Sequence, residues 1–160
     1  MNIFWLDYDP NESVKFYCDK HVVKMITEYA QLLSTCCRVS GVECGYRVSH
    51  VNHPCSLWVR ESLTNWYYLR DLAIKLQDEY YYRYGKIHAA YRVITYLRQP
   101  NIADIDLTLP PQCMPSCYKL DKGDLIKAYR NYYIGEKASF ARWSGREIPY
   151  WFNYEGKLLE

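Results

Sequence analysis

The sequence predicts an all-α fold: a compact single-domain helical bundle with two long helices, a third short one, a fourth C-terminal helix and an aromatic C-terminal tail. Three observations carry this expectation. Apolar residues recur at helical spacing through two long stretches. A helix-start signal, a capping residue followed by proline, precedes each of them, at Asp9-Pro10 and His53-Pro54. The seven prolines punctuate helical segments, and no internal repeat, low-complexity tract or Gly/Ser linker divides the chain. A chain of 160 residues can bury roughly two-thirds of its unfolded surface around one core without disulfides.

The first helix opens at Asp9-Pro10-Asn11-Glu12, where Glu12 completes a capping box, and is expected to run to about Arg38. A polar, glycine-bearing stretch from Ser40 to Asn52 leads to the second. There Leu57, Trp58, Leu63, Trp66, Tyr67, Leu72 and Leu76 keep helical spacing until Gly85. Lys86 to Arg98 forms a short helix that stops before Pro100, and four prolines from Pro100 to Pro115 make Asn101 to Cys117 an irregular crossing. Leu125, Tyr129, Tyr132, Tyr133, Glu136, Phe140 and Trp143 mark a last helix ending near Gly145. The tail from Ile148 to Lys157 is aromatic and non-periodic, and is expected to pack against the bundle.

An apolar share of 49% and a charged share of 24% exclude a disordered chain, and no apolar run approaches the roughly 18 residues of a membrane span. No secretory leader is visible, which predicts a cytoplasmic compartment, the host cytoplasm for a viral protein. Seven cysteines, an odd number, with Cys36 beside Cys37, point to reduced thiols. The formal charge of +2 does not diagnose nucleic-acid binding. A local basic excess does lie between residues 119 and 146, where Lys119, Lys122, Lys127, Arg130, Lys137, Arg142 and Arg146 face Asp121, Asp124 and Glu136. The unusual composition is 18 tyrosines, which with five tryptophans and four phenylalanines make 17% of the chain aromatic. Aromatics at this density fill a core; clustered at a surface, they would stack on bases.

On the first helix, Val14, Cys18, Met25, Tyr29, Leu32 and Cys36 share an apolar sector, and Lys20, Gln31, Ser34 and Arg38 take the opposite side. His21 and Glu28, seven residues apart, nearly eclipse each other at the border, with Lys24 between them. A carboxylate at such a border is half desolvated, which raises its pKa, while the neighbouring ammonium lowers it, so it can work as an acid or base near neutral pH. The competing reading is a surface pair with Lys24 worth a few tenths of a kcal/mol. The cluster His50-Val-Asn-His53-Pro-Cys55, with Cys113 and Cys117 far along the chain, lacks the compact paired spacing of a zinc site, and His53 has a simpler use as a helix cap. No metal and no other cofactor is expected. Phosphate-loop, serine-elbow and H-E-x-x-H motifs are missing from the sequence.

Three stretches carry a resemblance. Asp19-Lys20-His21 followed by Glu28-Tyr29, the stretch from His53 through Trp58 to Arg60, and Trp151-Phe152-Asn153-Tyr154-Glu155-Gly156-Lys157 together resemble the pyrimidine-dimer DNA glycosylases of the endonuclease V type. These are small all-helical phage and viral enzymes that cleave a glycosidic bond and nick the abasic site. The opening through Met25 is also similar to phage open reading frames, which implies a viral origin. The resemblance implies DNA as partner, Glu28 as the catalytic carboxylate, and an amine at the chain's start as the Schiff-base nucleophile. Here that amine is Met1, because Asn2 does not favour removal of Met1. An α-amine titrates near 8 and is nucleophilic at neutral pH, whereas an exposed lysine near 10.4 mostly is not, which leaves Lys24 as the weaker candidate for the amine.

His21 would orient Glu28. Lys24, Arg60, Arg142 and Arg146 would contact nucleic acid, with Trp151 and Tyr154 as a stacking wall or part of the core. Where the family carries three arginines, this chain has Ile3, Thr27 and Gln31. Contacts of that kind are worth about 1–3 kcal/mol each, so the grip on a duplex is expected to differ. Two other functions fit the same residues: an enzyme acting on a free nucleotide, a modified base or RNA, and a non-catalytic nucleic-acid-binding or interaction protein. The oligomeric state is not legible.

Overall fold

Six α-helices follow one another along the chain: α1 (Pro10–Phe16), α2 (Asp19–Val39), α3 (Pro54–Glu61), α4 (Leu63–Tyr84), α5 (Ala89–Tyr96) and α6 (Leu125–Lys137). The structure, a computed structural model, describes residues 1–160 except for the side chain of Lys122. Single 3-10 turns at Ser116–Tyr118 and Lys122–Asp124 lie in the crossing ahead of α6, and no strand occurs among the described residues. The all-helical class is as the apolar spacing predicts, while the helices are more finely divided.

The first predicted helix is two. Tyr17 and Cys18 adopt extended backbone (ψ 129° and 158°) between α1 and α2. This break lets Tyr17 turn wholly into the core, where its hydroxyl donates to the Phe4 carbonyl at 2.8 Å and lies 2.6 Å from the Tyr29 hydroxyl. The second predicted helix is also two. Ser62, at φ −149° and ψ 143°, separates α3 from α4, and its hydroxyl donates to Asp104 at 2.8 Å, tying the junction to the crossing. The last helix stops at Lys137, whose carbonyl accepts from the amides of Phe140 and Ala141 in a closing turn. Phe140 and Trp143 therefore belong to the following loop. Ser34 is a further correction: it lies not on a polar face but fully buried, donating to the Ala30 carbonyl at 2.6 Å. Helices α3, α4 and α5 all pack on α2, leaving it little solvated surface.

The core wraps an extended N-terminal segment. Asn2, Ile3, Phe4, Trp5 and Leu6 are all buried, although no sheet pairs their backbone. A buried strand-like segment without a ladder must find partners for each N–H and C=O among side chains. The amide of Phe4 donates to the Tyr29 hydroxyl at 3.4 Å, the amide of Leu6 to the Ser13 hydroxyl at 3.2 Å, and the Leu6 carbonyl accepts from Arg130 at 2.9 Å. Tyr17, Tyr29, Tyr129 and Tyr133 are wholly buried phenols, each combining an apolar ring with one polar tip. That combination explains part of the tyrosine excess: the rings fill the core and several hydroxyls satisfy this segment.

A buried charge cluster joins three parts of the chain. The Arg83 side chain is fully buried and donates to Glu79 at 2.7 Å, to Asp19 at 2.9 Å and to the Lys15 carbonyl at 3.0 Å. Arg146 approaches the same Glu79 with bonds of 3.0 and 2.8 Å. Asp19 also accepts from the Ser144 amide and hydroxyl. Burial alone would raise its carboxyl pKa, but these donors and Arg83 hold it below the ordinary value.

Candidate active site

The extended segment delivers Met1 to a cleft of about 1090 Å³. Asn2 fixes it there. Its side-chain amide donates to the Cys113 carbonyl at 2.7 Å, and its carbonyl oxygen accepts from the Tyr129 hydroxyl at 2.9 Å and from the amide of Ile3 at 2.9 Å. The same hydroxyl lies 2.7 Å from the Pro111 carbonyl, so its one proton is shared between two acceptors and one polar network ties α6, the crossing and the chain's first residues together. One wall of the cleft is α3, with Leu57 and Trp58; the other is the proline-rich crossing from Leu109 to Pro115. The Trp58 indole N–H donates to the Thr108 carbonyl at 3.2 Å, which locks the ring against the crossing. Both walls are mainly apolar, and the charged residues lining them are Glu61 and Lys119.

His53 lies at the first turn of α3 and lines the same cleft. Its Nδ1 accepts the Cys55 amide proton at 3.1 Å, the capping bond that Pro54 at the first helical position favours. Burial, the Met1 ammonium and His50 push its pKa below the ordinary histidine value, while Glu28 pulls the other way. Met1 and His53 line the cleft together, whereas Glu28 does not line it. Glu28 projects from the middle of α2, with its side chain 12% exposed, and pairs with Lys24 at 3.1 Å; Lys24 is itself 61% exposed. The carboxylate is thus largely shielded and the ammonium largely wet, as expected of residues at a border.

The other residues singled out in the sequence are placed elsewhere. His21 is buried 2.5 Å from the Tyr133 hydroxyl and stacked on Phe4 at 4.6 Å, so its ring faces the core instead of Glu28. Burial, followed by Lys137, Lys24 and Lys20, lowers its pKa to about 3. Arg60 bonds Ser56 at 3.1 Å on α3. The carbonyl of Arg142 accepts from the amide of Asp19, at the start of α2. Glu28 lies nine residues further on, about 13.5 Å along the helix axis. Arg146 is held by Glu79, and its guanidinium lies 3.8 Å from the Tyr82 ring centre. Trp151 is buried against Phe16 and Tyr133, and Tyr154 packs on Phe152 and donates to the Ala141 carbonyl. None of these six residues lines the cleft. Met1 shares the cleft with His53, Glu28 and Lys24 do not line it, Arg142 is bonded at the start of α2, and Arg60 stays on α3.

Beside this cleft, ligand atoms of His53, Cys55 and Cys113 lie within 4.8 Å of one another, the spacing that invites a metal. The two sulfurs are 3.5 Å apart, near the ~3.8 Å that two thiolates on a tetrahedral zinc would span. The imidazole does not fit. With Nδ1 receiving the Cys55 N–H, a metal on Nε2 would require a proton on Nδ1 aimed at another donor, and a metal on Nδ1 would displace the cap. The sulfurs instead serve each other. The Cys55 thiol, its pKa raised chiefly by its bond to Cys113, donates to Cys113, whose own pKa that bond lowers. No family model, curated protein or solved structure matches the chain. The site therefore rests on its own geometry. Sequence reading weighs His53 as a cap, His53 and Cys113 as weak zinc ligands, and His53 with Trp58 as part of a resemblance, but names none of them, nor Asn2, as a catalytic or binding residue.

Proposed function

We propose that this chain is a base-excision enzyme of the kind its motifs resemble, a glycosylase and abasic-site lyase in which the Met1 amine forms a Schiff base with the sugar and Glu28 moves protons. The single observation that supports this reading most is the anchoring of Met1: a buried segment and the Asn2 network hold an α-amine at an apolar-walled cleft that His53 also lines. The amine attacks carbon 1 of the sugar, the base departs or the aldehyde oxygen leaves as water, and the shielded carboxylate relays the protons. The Trp58 and proline walls suit a planar base between them. Borohydride reduction on an oligonucleotide carrying an abasic site tests the reading. A covalent adduct mapping to Met1, abolished by acetylating the α-amine and strongly reduced in Glu28→Gln with the fold intact, is the expected result; failure to trap any adduct refutes it.

One observation favours a smaller substrate than a duplex. Arg38 pairs with Glu43, Arg83 with Asp19 and Glu79, Arg130 with Asp7 and Arg146 with Glu79, so these guanidiniums are engaged within the molecule. Turnover of a mononucleotide or a single strand, with none on a duplex, would select this second reading.

A further inference from the structure

We propose that His53 donates a hydrogen bond, through Nε2–H, to the sugar oxygen displaced when the Met1 amine attacks carbon 1. The inference rests on the function proposed above and deepens it. Its physical basis is the cap. A backbone N–H can only donate, so the Nδ1 atom facing the Cys55 amide at 3.1 Å carries a lone pair. The proton of the neutral ring is then on Nε2, the nitrogen turned away from the helix terminus. The fold thereby fixes the tautomer by an interaction that any helix start needs, and leaves a rigid N–H edge for the cleft that His53 lines. The ring is kept neutral by burial, the Met1 ammonium and His50. It therefore polarises an oxygen without competing with Glu28 for the acid–base role.

The step balances as follows. The Met1 ammonium first gives one proton to solvent; its lone pair then forms the N–C bond and the C=O pair moves onto oxygen, where Nε2–H stabilises it. Glu28 takes a proton from the new ammonium and gives it to that oxygen. A second proton, from solvent, lets it leave as water, and the cationic imine remains for hydride reduction. Glu61 and Lys119 also line the cleft, but Glu61 has no proton to donate when ionised and Lys119 comes from the opposite wall.

Two variants separate this role from capping. In His53→Ser the hydroxyl caps the Cys55 amide as well as imidazole does but stops short of the cleft; His53→Ala loses cap and donor together. Using an abasic oligonucleotide and, as a small aldehyde, 2-deoxyribose 5-phosphate, the rate of borohydride-trapped adduct should fall about 100-fold in both variants. The melting midpoint should hold in His53→Ser and drop by about 2–4 °C in His53→Ala. Nitrogen-15 NMR of the wild-type ring should show Nε2 protonated and Nδ1 bare. A wild-type adduct rate in His53→Ser, or a proton on Nδ1, overturns the inference while leaving the Schiff-base reading in place. No adduct from the wild-type chain overturns both.

Discussion

Removing Glu79 is the most severe test of how this fold is closed. The carboxylate is 4% exposed and accepts from two guanidiniums, one of which, Arg83, has no solvent contact at its side chain. Glu79→Ala leaves Arg83 buried with Asp19 and one backbone carbonyl as its remaining partners. Breaking a buried pair by deleting one partner costs about 3–5 kcal/mol. Asp19 still offsets part of the charge, and Arg146, whose side chain is 27% exposed, can turn to water, so the expected loss is near the lower bound, about 3 kcal/mol. For a chain of this length that lowers the midpoint by about 6–12 °C. Urea unfolding followed by helical circular dichroism measures it at pH 7. Replacing both groups by apolar side chains, as in Glu79→Leu with Arg83→Met, should recover most of the loss, because the cost lies in the orphaned charge rather than in the lost pair. A single variant within about 0.5 kcal/mol of wild type, or a double variant less stable than the single, would refute this account.

The buried neutral His21 predicts acid sensitivity: its folded pKa of about 3 lies below the ordinary 6.5, so the unfolded chain takes up the proton first and stability falls as pH drops through that window. Between pH 7 and pH 5, wild type should lose about 2 kcal/mol more than His21→Leu, measured by urea titration at each pH; equal losses would contradict it. Asp19 works in a lower window, since its depressed pKa gives stability above the ordinary carboxylate value that is lost only on further acidification. Asn2→Ala removes the clamp on Met1, and the trapped-adduct rate should fall about tenfold or more while helical content is retained, as positioning losses do. Gly45, at φ +71°, abuts Ser34 and Leu97, so Gly45→Ala should cost about 1–3 kcal/mol by thermal unfolding, through backbone strain and overpacking together.

Much of the helical layout was legible because it is local. Periodicity, Asp9-Pro10, His53-Pro54 and Gly85 are all readable within a few residues, and the corresponding helix ends lie where they point. The two missed breaks are not local. Tyr17 leaves helical backbone to reach Phe4 and Tyr29, and Ser62 does so beside Asp104; both partners are invisible in a window that sees only helical spacing. Ser34 was placed on a polar face by the same reasoning, yet it is buried with Gly45 close against it, a contact made by a loop with no periodicity.

The site was less legible for a related reason. Glu28 and Met1 are marked by residue type and by resemblance to a motif, but what places Met1 is a tertiary network from Asn2 to Tyr129 and the Cys113 carbonyl, more than a hundred residues away along the chain, and this network does not include Glu28. Asn2 shows how a sequence difference can be misread: judged against the resembled family it is only the residue that keeps Met1 in place, while in the fold its amide is the clasp that holds Met1 at the cleft. The arginines show the reverse. Arg60, Arg142 and Arg146 are read from sequence as phosphate contacts, but a guanidinium's worth to a ligand depends on whether a carboxylate already holds it, and Glu79 holds Arg146 as Asp7, Asp19 and Glu43 hold Arg130, Arg83 and Arg38. Four guanidiniums that could grip a nucleic acid are instead engaged within the fold. On the function proposed above, recognition at this cleft comes from its apolar walls and a few aimed donors, which favours an exposed base and sugar over a long phosphate backbone.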